Sequence, residues 1–271
     1  MANSSPDTLV MQLNINGCSK HSISALNNYI NTNEAKIVFL SETKTSDLTD
    51  NDFQNYRVIL KPNLENPTQK GGVAILIHNS IMADRLHDLE THNSDTIFIL
   101  ATIHGERILL CGSYVPPNNL TALKRLQSLV QSSIDQLNRV KCKYFAAFGD
   151  FNARHPHWND SKTNKQGEEL FEFCNSHNLH IPKFHNDYTF LCDLGGSIID
   201  IAITNMNAHK LFRNQYVDNI EELFTGAPSR GHIPVWSQLS LRHTKTQSKT
   251  INCWSRTNWD SYTNICISTP Y

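Results

Sequence analysis

No apolar run in the sequence approaches the roughly 20 residues that a membrane-spanning helix needs, so no membrane partner is expected. Residues 1–7 lack a basic start followed by an apolar stretch, and no secretory signal is read there. Cysteine is thinly spread. The seven cysteines (Cys18, Cys111, Cys142, Cys174, Cys192, Cys253, Cys266) are odd in number and nowhere spaced Cys-x-x-Cys, which speaks against a zinc site and suits a reduced intracellular compartment. An excess of either charge is also missing. With 24 basic and 25 acidic residues the chain is not the globally basic kind that coats nucleic acid, so any such contact must be local. One local candidate is residues 242–256, which carry Arg242, Lys245, Lys249 and Arg256 and no acid. That stretch reads either as a strip lying along phosphates or as a solvated polar linker.

What remains is an ordinary soluble composition, 39% hydrophobic and 18% charged over 271 residues, enough for one large domain with a sizeable core. Short apolar runs rich in β-branched residues predict strands over 9–15, 37–40, 57–60, 72–77, 96–103, 107–114, 144–148, 197–203 and 233–241. Helical spacing predicts helices over 21–33, 120–137 and 167–177. These few helices alternate irregularly with many strands, which implies an α+β fold, a mainly antiparallel sandwich with helices on its outer faces. The domain is read as 8–241. Residues 242–271 then form a polar, basic linker and, from Asn258 and Trp259 onward, the start of a following element.

The chemistry-bearing residues recur at the ends of the apolar runs. Asn14 follows Leu13, Glu42 follows Leu40-Ser41, Asp150 and Asn152 stand in Phe148-Gly149-Asp150-Phe151-Asn152, Asp200 follows Ile199, and His232 follows Gly231. Strands ending this way bring these side chains to one rim of a sheet, where they can hold a hard cation and attack a phosphodiester. Gly149 permits a tight turn, and strand alternation then displays Asp150 and Asn152 on one side. There a carboxylate accepts a proton from an attacking water or lies near a metal, while an amide donates to a phosphate oxygen. The same residues also suit a plain Gly-Asp turn with an Asx cap. Glu42 is the first metal candidate because Mg2+ takes oxygen ligands and needs only one or two protein carboxylates; a surface glutamate is the plainer reading.

Asn14 is suited to orienting a metal-bound water or a carboxylate without adding charge. Asp200 lies in a β-branched run, where a charge is costly unless paired or functional. Tyr114 can donate its phenol to a phosphate or simply pack, and Pro116 and Pro117 stiffen the loop carrying Asn118. His232, as a base or a phosphate donor, works best when a carboxylate fixes its tautomer. His155 and Trp158, just beyond the Asp150 motif, line a substrate groove or pack a loop.

Taken in order, Leu13-Asn14-Ile15-Asn16-Gly17, Ser41-Glu42-Thr43, Gly71-Gly72-Val73-Ala74, Ser113-Tyr114-Val115-Pro116-Pro117, Gly149-Asp150-Phe151-Asn152-Ala153 with His155-Pro156 and Trp158, 197–200 and His232-Ile233-Pro234-Val235 resemble the endonuclease/exonuclease/phosphatase superfamily. Within it they resemble the apurinic-type endonuclease domain of jockey-like non-LTR retrotransposons, over nearly the whole chain. The resemblance implies a four-layer α/β sandwich like deoxyribonuclease I, Mg2+ dependence, and nicking of double-stranded DNA to leave a 3' hydroxyl that primes a downstream reverse transcriptase, with the nucleus as the place of action. By motif position Glu42 binds the metal with help from Asn14. Asp150 and Asn152 position and activate the water and the phosphate, Tyr114 contacts that phosphate, Asp200 joins the cluster, and His232 bonds the scissile phosphate or acts as base. Asn118, His155 and Trp158 fall to substrate binding.

The chain departs from the pattern at Arg230-Gly231-His232, where the family has Ser-Asp-His. That change is expected to remove the carboxylate that orients the histidine, at a cost of roughly four orders of magnitude in turnover. Two further readings follow: a catalytically impaired DNA-binding domain, and a superfamily phosphatase.

Overall fold

The protein is described by a computed structural model over residues 7–65, 68, 70–183, 188–218 and 231–240. The proposed tail 242–271 lies outside the described residues. In chain order the elements are β1 (Thr8–Asn14), α1 (Lys20–Thr32), β2 (Ile37–Ser41), β3 (Tyr56–Lys61), β4 (Val73–His78), β5 (Met82–Arg85), β6 (Thr96–Ile103) and β7 (Glu106–Tyr114). They continue with α2 (Leu120–Asp135), β8 (Tyr144–Asp150), α3 (Lys165–Ser176), β9 (Leu179–His180), β10 (Phe190–Cys192), β11 (Gly195–Ser197), β12 (Asp200–Asn205), α4 (Met206–His209), β13 (Phe212–Val217), β14 (Gly231–His232) and β15 (Val235–Leu239). Among the described residues no helix is long and apolar enough to cross a membrane.

Two six-stranded sheets, β13-β15-β1-β2-β4-β3 and β5-β6-β7-β8-β12-β9, pack face to face, and β11-β10-β14 form a small third sheet. Period-two alternation of the strands places Val10, Ile37, Phe39 and Ile75 of the first sheet against Ile97, Leu110, Ala146 and Phe148 of the second. Phe39 and Phe148 stack across this layer with ring centroids 4.6 Å apart. The opposite face of the first sheet, with Met11, Leu13, Val38 and Leu40, packs on Leu26 and Ile30 of α1. The opposite face of the second, with Leu109, Cys111, Phe145 and Ala147, packs on Leu123, Leu126 and Val130 of α2 and Leu170 of α3. Helix, sheet, sheet and helices therefore make four layers, the α+β sandwich expected from the pattern of runs.

Local chemistry sets the helix starts. Ser19, Asn119 and Asn164 each accept a backbone N–H from the first turn of α1, α2 and α3, the role for which short oxygen-bearing side chains are favoured. Strand ends are set as locally. The run expected over 233–241 divides at Pro234, which has no N–H to give to a ladder: β14 pairs with β10 in the small sheet, while β15 joins β1 and β13 in the first sheet.

Two parallel pairings decide where the polar strand ends go. β1 runs parallel to β2, with Asn14 opposite Ser41, and β7 runs parallel to β8, with Tyr114 opposite Asp150. β12 is antiparallel to β8 and begins where β8 ends, with Asp200 opposite Asp150. The C-terminal ends of four strands and the start of a fifth therefore share one rim. Gly149 serves this geometry differently from the tight turn expected of it. It lies inside β8, and a Cβ there would come within 1.8 Å of the Ser113 carbonyl oxygen, so its bareness permits the close approach of β7.

Candidate active site

Asn14 is the hub of the rim. Its Nδ2 donates to Glu42 Oε1 at 3.1 Å and to Asp150 Oδ2 at 3.0 Å, and its Oδ1 accepts the N–H of Asn16 at 3.0 Å. One amide thus holds two carboxylates from different sheets. Glu42 leaves β2 in the left-handed region at φ +50°, an uncommon conformation for a residue with a side chain, and the N–H of Gly17 holds its carbonyl at 2.8 Å. Burial works against the charge on Glu42, but hydrogen bonds from Lys44, Asn14 and Tyr114 outweigh it and hold the carboxyl below its ordinary range. Lys44 lies 2.8 Å from Glu42 Oε2 and also donates to Asn16. The Tyr114 phenol is pushed up by burial and by the Glu42 carboxylate it faces, so it is a donor.

Asp150 is 1% exposed and stands beside a second buried acid, Asp200. Burial and repulsion by Asp200 raise its carboxyl well above the usual carboxylate range, against the opposing pull of His232, Asn14 and the N–H of Asn152. His232 Nδ1 lies 2.9 Å from Asp200 Oδ2, and its Nε2 lies 3.8 Å from Asp150 Oδ2. Burial opposes charge on the ring, but Asp200, Asp150 and Glu42 together push it up to about 9. The Phe190 ring covers His232 with centroids 4.7 Å apart.

The expectation attached to Gly231 is therefore corrected. The carboxylate that orients His232 comes from Asp200, 32 positions upstream, and the residue at 231 is not needed for that contact. Periodicity could not reveal this, because β12 and β14 meet the histidine from different sheets.

Asn152 also sits otherwise than strand alternation implies. β8 ends at Asp150, and Asn152 takes a left-handed φ of +48°. Its N–H donates to Asp150 Oδ1 at 2.9 Å in the Asx geometry, and its Nδ2 donates to the Val115 carbonyl at 3.1 Å beside Tyr114. Of the residues assigned to substrate, Trp158 is excluded. It is fully buried in the core under α3, and its Nε1 donates to the Ile198 carbonyl at 3.2 Å. His155 caps the short turn Pro156–Trp158 and stacks on Phe171 with centroids 4.4 Å apart, which is loop packing. Asn118 is exposed just before the α2 cap. An open cleft of about 920 Å³ runs from Glu42 and Tyr114 past Pro116 to Asn119 and Arg125.

Two donor sets could meet a cation. Ligand atoms of Asp150, Asp200 and His232 all lie within 4.8 Å of one another, while Glu42, Asn14 and Asp150 present hard oxygens linked by the Asn14 amide. Hard oxygens would suit a small divalent cation, whose charge would also relieve the crowding of Asp150 against Asp200. In the other set His232 Nδ1 is already engaged by Asp200. Sequence reasoning missed Lys44, although its place two residues after Glu42 was a usable signal. It also missed Thr189, for which the sequence offered none.

Residues 108–223 match the family model described as endonuclease-reverse transcriptase. No curated protein matches the chain. Among solved structures, the endonuclease domain of TRAS1, a telomere-specific non-LTR retrotransposon, superposes with a TM-score of 0.69 at 20% identity, over 87% of this chain and 99% of that one. The Xenopus laevis APE2 catalytic domain gives 0.64 at 16% identity over 87% and 92%, and an AP endonuclease from Archaeoglobus fulgidus gives 0.62 at 17% identity over 86% and 100%. The chain has the fold of the TRAS1 endonuclease domain and of the AP endonucleases, and its residues 108–223 are similar to the endonuclease-reverse transcriptase family model.

Proposed function

We propose that the protein is a Mg2+-dependent endonuclease that nicks double-stranded DNA and leaves a 3' hydroxyl to prime a reverse transcriptase encoded downstream in the same polyprotein. The observation that carries this reading is the convergence of Asn14, Glu42, Tyr114, Asp150, Asp200 and His232 on one rim, each hydrogen-bonded to another member, with His232 Nε2 3.8 Å from Asp150 Oδ2. Glu42 and Asn14, with Asp150 alongside, would hold Mg2+. When bound, the cation supplies positive charge to a phosphate oxygen.

The chain's own groups do the rest. Asp200 holds the imidazole with Nδ1 toward itself, leaving Nε2 to donate to a phosphate oxygen, where negative charge grows during attack. Asp150, whose carboxyl is raised, is the group suited to take the proton of the attacking water. Tyr114 gives its one O–H to Glu42 in the free site and would turn it to the same phosphate when DNA binds, while Asn152 closes the loop beside it. The nucleus is the site of action this role requires. Incubating the purified chain with supercoiled plasmid and Mg2+ tests the proposal. Relaxed circles that vanish with Glu42→Ala support it; intact plasmid under all conditions, with DNA still shifting on a gel, leaves a binding domain instead.

A further inference from the structure

We propose that Thr189 is a positioning residue that sets the Asp200–His232 pair, an inference that rests on the nuclease reading above. Thr189 is fully buried and stands immediately before β10. Its Oγ1 accepts two backbone N–H groups, from Ile199 and from Asp200, each at 3.1 Å. Its carbonyl accepts the N–H of Ile233 at 2.9 Å, and its own N–H donates to the Ser197 carbonyl at 3.0 Å. One residue therefore ties down Asp200 itself on one side and the neighbour of His232 on the other. Between these ties lies the 2.9 Å contact of His232 Nδ1 with Asp200 Oδ2.

The hydroxyl matters because of where the chain crosses. β11 ends at Ser197 in the small sheet and β12 begins at Asp200 in the second sheet, so Ile198 and Ile199 have no ladder partner. Their N–H groups are buried and need acceptors. Ile198 finds Asp160 Oδ2 at 2.7 Å, and Ile199 finds Thr189. A β-branched side chain is stiff at χ1, so the oxygen stays aimed at both donors. The next residue, Phe190, pairs with His232 in register and covers its ring. Position 189 thus fixes the distance between two catalytic partners without touching the substrate.

Thr189→Val keeps the shape and removes the acceptor, while Thr189→Ser keeps the oxygen. In the full chain, Thr189→Val is expected to lower kcat for plasmid nicking by about 10- to 100-fold, the range that follows from small misplacement of reacting groups. KM is expected to stay within about threefold, and Thr189→Ser to restore kcat to within about threefold of the parent. Hydrogen exchange at the Asp200 amide, measured on metal-free protein, should quicken in Thr189→Val and not in Thr189→Ser. If Thr189→Val does not fold, Thr189→Ala takes its place with the same expectations. A folded valine or alanine variant with parental kcat overturns the proposal, as does Asp200 exchange that does not change. So does equal loss of kcat in the valine and serine variants. If the parent chain itself does not nick, the nuclease reading fails, and exchange at Asp200 still decides whether the clamp exists.

Discussion

The imidazole of His232 is held by both oxygens of Asp200, with Nδ1 at 2.9 Å from one and 3.2 Å from the other. This contact takes over the orienting role expected of a carboxylate at position 231, and two substitutions separate the alternatives. Asp200→Asn should lower turnover by about 10²- to 10³-fold while leaving DNA binding in place, because it removes the charge that keeps the imidazole protonated and so weakens Nε2 as a donor to the phosphate. Gly231→Asp should change nicking by less than about tenfold. Position 231 lies at φ +113°, where a side chain is strained, so Gly231→Asp should also lose about 1–3 kcal/mol of stability. Single-turnover nicking and thermal melting check both; a large gain from Gly231→Asp would return the orienting role to position 231.

Glu42 has three donors on it before any cation arrives, from Asn14, Lys44 and Tyr114. Removing its charge as Glu42→Gln keeps the shape and should weaken Mg2+ by about 10- to 100-fold, the scale typical of altered metal-site contacts. Calorimetric titration of Mg2+ or Mn2+ measures this without DNA. Cation affinity equal to that of the parent would move the site to Asp150 and Asp200.

The rim was legible in the sequence because three of its members, Asn14, Glu42 and Asp150, close strongly apolar runs, while Asp200 stands within one and opens its strand. The strands are buried on both faces, so the polar residues at their ends mark the edge of the sandwich. What the sequence could not supply was which ends meet. The parallel pairings of β1 with β2 and of β7 with β8 depend on connections through helices and long loops, and no local signal encodes them. Short or polar strands were also invisible. β13 reads Phe-Arg-Asn-Gln-Tyr-Val and forms an edge, where one side needs no burial, and β9 has only two residues. Trp158 misled for the opposite reason. A large aromatic beside a motif suits a groove and a core equally, and only packing distinguishes them.

The charge on His232 gives the metal-free protein a defined pH response. Its folded-state value, about 9, lies above the ordinary 6.5, so its contribution to stability is fully present below about pH 6.5 and is lost as pH rises through about 9. The shift corresponds to at most about 3–4 kcal/mol, since one unit is about 1.4 kcal/mol. The melting difference between the parent and His232→Gln, in chelator, should therefore shrink steadily between pH 6.5 and 9.5, the flanks of that window. A difference that is flat or grows over this range would mean that Asp200 and Asp150 do not hold the ring charged.

Trp158 provides the last test, because burial and substrate contact predict opposite outcomes. It is fully buried, and its Nε1 donates to the carbonyl of Ile198, two residues before Asp200. Trp158→Phe keeps an aromatic ring but leaves that carbonyl without its donor and opens a small void. The expected loss is about 1–3 kcal/mol, the cost of an unsatisfied buried group. Asp160 Oδ2 still holds the N–H of Ile198 and Thr189 still holds that of Asp200, so the catalytic pair should keep its place. Nicking measured well below the melting range should then show KM within about threefold of the parent. A raised KM with an unchanged melting temperature would instead place the indole against DNA.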